Sequence, residues 1–321
     1  MTYAEQLHTV HQVAAHYWRR DLSQVANALS AIEVIKQNPG KMMGFFPHYE
    51  HFPEVFFKVY FNNAFQYEMR GLQTVQAMPE MPGIKKPSAV QVMPEYKAIL
   101  TEKRYWDDTT TPIKRFFVGS LGIDWGTVGR WLRAFHDSQV SQTPNEKFIR
   151  RKFEKIEAHL EALQTLFTPE QMDTMRGIIE QVRDYFATEP TEWVISHGDF
   201  GLDNIKKADD MLEIIDFEDC QMAPREFDIL NCLVRLEYVN CFPNIPGTFN
   251  QIRNDFLNGY GLLPERTTCN DFTYLLVKLD AIETYYRRRK NDFQTSKNAL
   301  IYSYFENQVK GKLIRWLTTK D

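Results

Sequence analysis

Two stretches carry most of what this chain reveals. The first is Trp193-Val194-Ile195-Ser196-His197-Gly198-Asp199-Phe200-Gly201-Leu202-Asp203-Asn204, and the second is Met211-Leu212-Glu213-Ile214-Ile215-Asp216-Phe217-Glu218. Each opens on a short apolar run that reads as a buried strand and then delivers acids. Asp199 and Asn204 stand five positions apart on one loop, and Asp216 ends the next strand. Phosphoryl transfer asks for such a set: a carboxylate beside an attacking hydroxyl, and oxygen ligands for the metal that neutralises a triphosphate. Lys206-Lys207-Ala208-Asp209-Asp210, between the two stretches, reads as a polar turn. A plainer alternative makes His197-Gly198 only a tight turn and Asp216 only the cap of a strand end.

Bulk properties narrow the field. With 321 residues, 43% of them hydrophobic and 14% aromatic, the chain is long enough for one large or two medium globular domains. A net charge of −4 lacks the basic footprint of a nucleic-acid binder, and Arg287-Arg288-Arg289-Lys290 reads as the last turn of a helix. No window is apolar enough for a membrane span, and His8, His11, His16, Arg19 and Arg20 break up the N-terminus, so no membrane partner and no leader is expected. Cys220, Cys232, Cys241 and Cys269 lack C-x-x-C spacing, and reduced thiols in a cytoplasmic protein are the economical reading.

Periodicity divides the chain. Residues 3–29 carry a helical stripe through Leu7, Val10, Val13, Ala14, Tyr17, Leu22, Val25 and Leu29. Strands are expected at 31–36, 45–46, 55–60, 90–92 and 98–100, a turn at Asn38-Pro39-Gly40, and a helix over 65–78. Beyond Tyr105-Trp106 the spacing turns helical, over 127–138, 148–166, 169–186 and 271–290, and the strands of this half surround the motif. The fold class expected is α+β.

H-G-D-x-x-x-x-N followed by I-D-[WF]-E keeps the spacing of the protein-kinase loop H-R-D-x-x-x-x-N and its D-F-G segment. That variant resembles the aminoglycoside phosphotransferase and choline kinase family of small-molecule kinases. Val55-Phe56-Phe57-Lys58-Val59-Tyr60 looks like the family's strand with its phosphate-binding lysine. Phe65-Gln66-Tyr67-Glu68-Met69-Arg70-Gly71-Leu72 resembles the F-x-x-E-x-x-G-L helix of fructosamine-kinase-like members. Ala223-Pro224-Arg225-Glu226-Phe227-Asp228 matches the segment that follows the metal Asp, and the helix ending in Leu132-Arg133-Ala134-Phe135-His136 matches L-x-x-[LF]-H.

The resemblance implies a two-lobed protein-kinase-like fold. A small β-rich nucleotide-binding lobe would span 1–103, with 1–30 as a helical extension, and a larger, mainly helical catalytic and substrate-binding lobe would span 104–321. It implies ATP, or another nucleoside triphosphate, and Mg²⁺ as cofactors, with a small polar molecule as acceptor. Asp199 would orient the acceptor hydroxyl and take its proton, while Asn204 and Asp216 would hold the metal. Lys58, paired with Glu68, would clamp the phosphates, and backbone at Thr101 and Glu102, in the hinge 99–103, would hold the adenine edge. Glu218 would support a second metal or the geometry of Asp216, while Asp228 would tie loops together. Asp203, Glu218, Glu237, Asp280 and Glu283 are candidate acceptor contacts. An acidic and aromatic pocket would suit a cationic acceptor, and an exposed face of ordinary salt bridges is the alternative. The stretch 37–44 departs from the family, offering Gly40 and Gly44 where a glycine- and serine-rich turn is usual, so a nucleotide-binding scaffold without transfer activity is a competing reading.

Overall fold

The computed structural model describes residues 1–87, 89–102, 123–189, 192–208, 210–239, 248–261, 268–291 and 296–319. Its first helix, α1 (Tyr3–Tyr17), begins on a reciprocal cap: the Glu5 N–H donates to Thr2 Oγ1 (3.3 Å) and the Thr2 N–H to Glu5 Oε2 (2.6 Å). Val10, Val13, Ala14 and Tyr17 form its buried stripe. The single helix expected over 3–29 is in fact three pieces, because the stripe is interrupted by the charged run Arg19-Arg20-Asp21, where Arg19 turns left-handed (φ 53°). A 3₁₀ turn at Leu22–Gln24 and a short α2 (Ala26–Leu29) follow.

Strands β1 (Glu33–Asn38), β2 (Lys41–Phe46), β3 (Val55–Tyr60), β4 (Ile84–Lys85), β5 (Ala89–Met93) and β6 (Ala98–Glu102) come next, with α3 (Ala64–Ala77) after β3. Five of them form an antiparallel sheet in the order β1-β2-β3-β6-β5. Period-two alternation sends Met42, Phe46, Val55, Phe57, Val59 and Leu100 to one face, where they form a core with Val10, Val13, Ala14 and Trp18. Lys41 pairs with Tyr60 and Met43 with Lys58, so both lysines and Tyr60 project from the other face.

A second sheet, β4-β10-β9, is completed by β9 (Ile205–Ala208) and β10 (Met211–Ile214), the latter parallel to β4 through Leu212↔Ile84. Lys206 is thus a buried strand residue, and the polar turn expected at 206–210 is strand through Ala208. The pairing with β4 carries Asp216 into the first of two compact units, Met1–Asp108 with Lys206–Cys220. The second unit is Thr109–Ile205 with Gln221–Asp321.

In the second unit, β8 (Trp193–Ser196) is fully buried between β11 (Gln221–Pro224) and β7 (Val140–Ser141). The helices described in this unit are α4 (Trp125–Asp137), α5 (Glu146–Leu163), α6 (Pro169–Thr188), α7 (Glu226–Val239), α8 (Thr248–Tyr260), α9 (Thr268–Asn291) and α10 (Ser296–Leu317). A core of Phe148, Ile156, Met175, Trp193, Phe272 and Leu279 joins helices to strand. The fold class is α+β as expected, a β-rich unit and a mainly helical one. Cys220 and Cys232 are buried and neither is part of a disulfide. No helix among the described residues is long and apolar enough to cross a membrane.

Helices α4 and α8 touch backbone to backbone. A Cβ on Gly129 would lie 2.1 Å from the Phe256 carbonyl oxygen, and one on Gly259 would lie 2.1 Å from that of Gly126. Gly129→Ala must push the two helices apart, and a loss of about 1–3 kcal/mol in urea unfolding is expected. Gly177→Ala, inside α6 with nothing within 4 Å of the added methyl, serves as the control and should raise stability by about 0.5–1 kcal/mol.

Candidate active site

In the first unit the site is built around a buried ammonium. Lys58 Nζ lies 2.6 Å from Asp216 Oδ1 and 3.2 Å from Glu68 Oε1, with its side chain only 12% exposed. Burial alone would depress this ammonium, but the charges of Glu68, Tyr60 and Asp216 outweigh it and hold it well above the usual lysine value. Burial pushes the Glu68 carboxyl up, against the pull of Lys58, and pushes the Tyr60 hydroxyl well up. The expected pairing of Lys58 with Glu68 is therefore present, and Asp216 shares it.

Asp216 adopts φ +70°, a left-handed conformation that costs a residue with a β-carbon about 1–2 kcal/mol. Three contacts hold it there. Lys58 takes its carboxylate; Phe217, fully buried, packs where Gly71 of α3 has no side chain; and Glu218 is ion-paired with Lys41 of β2. A Cβ on Gly71 would fall 2.3 Å from Phe217 Cβ, so the glycine is what lets the two segments meet. Beside Lys58 a pocket is walled by Phe56, Leu72, Ile99 and Phe217, with Glu68, Thr101, Glu102 and Asp216 on its lining. An apolar slot next to a cation suits a flat base carrying phosphates. Thr101 and Glu102 are the last residues of β6, and Lys103, the end of the expected hinge, lies outside the described residues.

In the second unit β8 leads into the loop. Gly198 takes φ +82°, and Asp228 of α7 receives the N–H groups of His197 (2.7 Å) and Gly198 (3.0 Å). The same carboxylate is 3.0 Å from His136 Nε2, whose Nδ1 is 2.7 Å from the Tyr260 hydroxyl. The Nε2–H donates to Asp228, since a carboxylate can only accept, and Nδ1 and the Tyr260 hydroxyl share the second hydrogen bond. Burial would raise Asp228, but the His136 hydrogen bond and charge, His197 and the backbone N–H hold it below the usual aspartate value. Phe200 is fully buried and stacks on Trp131 (5.9 Å, 7°). His197 packs edge-on against Phe200, a bracing position.

Asp199 emerges half-buried. Its Oδ1 accepts from Arg235 Nη2 at 2.5 Å, and Asn204 Nδ2 donates to its backbone oxygen (2.8 Å) and to Oδ2 (3.2 Å). Arg235 is held above the usual guanidinium value: burial opposes this, and Asp199, Asp203 and Asp280 outweigh it. Sequence reasoning missed Arg235. The signal was its place seven residues after Asp228, two turns along one helix face.

The Asn204 amide nitrogen is committed to Asp199, and the oxygen of the same amide is the atom with acceptor capacity. The Asn204 amide oxygen in the second unit and the Asp216 carboxylate in the first are each an oxygen donor of the kind Mg²⁺, a hard ion seldom bound in an all-protein cage, accepts. Among the described residues no group of three or more His, Cys, Asp or Glu is placed to hold a metal ion by itself.

The candidate acceptor acids are already partnered by cations. Glu237 contacts Lys278 (2.5 Å) and Lys312 (3.0 Å). Asp280 contacts Lys155 (2.7 Å) and His159 (3.4 Å), and Glu283 contacts His159 and Arg287 (3.1 Å for the latter). Burial raises Glu237 and Asp280, and these cations more than reverse it, leaving both below their usual values. Asp280 and Glu283 do come together, around His159; Asp203 is exposed near Arg235.

Residues 121–268 match the model of the phosphotransferase enzyme family, APH. No curated protein sequence matches the chain. The fold recurs in a choline/ethanolamine kinase family protein from Mesorhizobium loti (14% identity, 97% of this chain and 98% of that one, TM-score 0.54). It recurs in spectinomycin phosphotransferase in complex with ADP and spectinomycin (14%, 89% and 93%, TM-score 0.55). A third instance is an amicoumacin kinase in complex with AMP-PNP, Ca²⁺ and Ami (13%, 88% and 89%, TM-score 0.51). The resemblance to the aminoglycoside phosphotransferase and choline kinase family therefore holds, and family match and fold together support a small-molecule phosphotransferase.

Asp228→Asn leaves two backbone N–H groups and His136 with a weaker acceptor, and a loss of about 3 kcal/mol in urea unfolding near neutral pH is expected. A folded value below the unfolded one, about 3.9, means that this carboxylate's contribution is complete above that pH and is lost as pH falls through the folded value. Urea melts between neutrality and pH 3 should therefore show a steeper acid decline for the wild type than for Asp228→Asn.

Proposed function

We propose that this chain, matched over residues 121–268 by the phosphotransferase family, moves the γ-phosphate of ATP or another nucleoside triphosphate to a hydroxyl of a small polar molecule in the cytoplasm. The observation that carries this reading is Lys58, a buried ammonium kept charged between Glu68 and Asp216 beside an apolar pocket. A cation so placed is suited to a polyphosphate, and the carboxylate it holds is of the kind a metal takes. The bound nucleotides of spectinomycin phosphotransferase and amicoumacin kinase are consistent with it.

Mg²⁺, held by Asn204 and Asp216, would supply charge neutralisation on the phosphate oxygens. The chain's own residues do the rest. Lys58 clamps the α- and β-phosphates, and Glu68 fixes the direction of its ammonium. The apolar slot beside Thr101 and Glu102 takes the base. Asp199, its orientation set by Arg235 on Oδ1 and Asn204 on Oδ2, keeps a lone pair on each oxygen for an acceptor hydroxyl and takes its proton as transfer completes. Little covalent chemistry is asked of the protein, so alignment and electrostatics supply the rate. Since Glu237, Asp280 and Glu283 each hold a cation, a cationic acceptor has to compete with those partners for them.

A second reading, a nucleotide-binding scaffold without transfer, is favoured by one observation: at the turn after Asn38, the Gly40 and Lys41 N–H groups are taken by the Asn38 side chain. Turnover of ATP should be screened against amino sugars, aminoglycosides, choline-like amines, ketosamines and hydroxy amino acids. Asp199→Ala should lose about 10²–10⁴-fold in kcat with the responding acceptor, and full retention would reassign the base. In thermal-shift measurements ATP should stabilise the wild type more with Mg²⁺ than without it, and Asp216→Ala should abolish the difference. Stabilisation that ignores both metal and substitution would establish the scaffold.

A further inference from the structure

The turn between β1 and β2 is spent on itself. Gly40 N–H and Lys41 N–H both donate to Asn38 Oδ1, at 2.8 and 2.9 Å, whereas a glycine-rich turn would leave such groups directed at an anion. What the turn delivers is a side chain. Lys41 opens β2 opposite Tyr60, and Lys58 stands opposite Met43, so two ammonium groups project from one face of the sheet in neighbouring registers. Lys41 is 7% exposed and rests on Glu218, as Lys58 rests on Asp216 two residues earlier. On the same face the Tyr60 hydroxyl is buried with no hydrogen-bond partner. Buried hydroxyls are rarely left so.

Desolvating a second lysine beside the first costs more than a surface pair returns. A pair that only braced residues 216–218 would not call for an orphaned hydroxyl next to it. We propose that Lys41, with the Tyr60 hydroxyl, is a second phosphate-binding group, replacing the amides of a glycine-rich turn at the terminal phosphate of a nucleoside triphosphate, a role that rests on reading this unit as a triphosphate site. Glu218 is then the counter-ion from which the incoming phosphate displaces Lys41. The segment Asp216–Glu218 so serves two lysines, one for the inner phosphates and one for the outer.

Isothermal titration of the full chain with AMP, ADP and AMP-PNP tests this. The wild type should bind AMP-PNP more tightly than AMP. Lys41→Met should weaken AMP-PNP about tenfold while leaving AMP within about twofold, and Lys41→Arg should restore most of the loss. An equal loss for all three nucleotides would reduce Lys41 to a brace, and unchanged AMP-PNP affinity would leave it idle; either overturns the inference alone. A wild type that binds none of the three overturns the proposed function and this inference with it. Should Lys41→Met fail to fold, Glu218→Gln decides, titrated in EDTA to remove any part Glu218 plays with metal. Tighter AMP-PNP binding with AMP unchanged supports a released Lys41, and unchanged or weaker binding overturns it.

Discussion

A charge taken out of water has to be answered inside the protein, and Lys58 organises the first unit around that demand. Left alone at 12% exposure, its ammonium would lose its proton or destabilise the fold. Two carboxylates from distant parts of the sequence answer it: Glu68 from α3, and Asp216 from the segment after β10. Their convergence fixes where α3 lies on the sheet. It also offsets the left-handed backbone at Asp216, since a cost of about 1–2 kcal/mol is small beside that of an unpaired buried ion.

The second unit divides its acids differently. Asp228 is fully buried and spends its oxygens on two backbone N–H groups and a histidine. Asp199 is about a third exposed, and a guanidinium and an amide reach it from the sides. The contrast supports, without appeal to motif, the roles proposed for the two acids. A carboxylate saturated by the scaffold shapes a loop, while one that keeps lone pairs and access to water can meet a substrate. His136 belongs with the first kind, locked between Asp228 and Tyr260.

What was legible in the sequence was whatever had a local period or a fixed offset. Val55–Tyr60 and the helix over 65–78 fall within a residue of their expected bounds, since alternation and 3.6-residue spacing are properties of the segment itself. The two-residue strands Ile84–Lys85 and Val140–Ser141 were not legible, nor was Gln221–Pro224, because they exist only through partners far along the chain. The same blindness hid the membership of Lys206–Cys220 in the first unit, the contact of Lys41 with Glu218, and the partners that other helices bring to Glu237, Asp280 and Glu283, whereas Arg287, on the same face as Glu283, was legible. Spacing placed Asp280 and Glu283 on one face correctly, but it carries no information about what the neighbouring helix α5 brings to that face.

Helix α7 reaches the loop after β8 at two points, Asp228 holding its start and Arg235 its acid. Seven residues make almost two whole turns, about 10.5 Å of rise, so the helix works as a ruler between the two attachments. Inserting or deleting one residue between them would swing Arg235 about 100° around the axis and carry it away from Asp199 while Asp228 stayed in place. Length between these positions is thus under a tighter constraint than residue identity: any side chain that packs is tolerable there, but an indel is not, since even one of three or four residues, which brings the helical face round again, moves Arg235 about 5 Å along the axis.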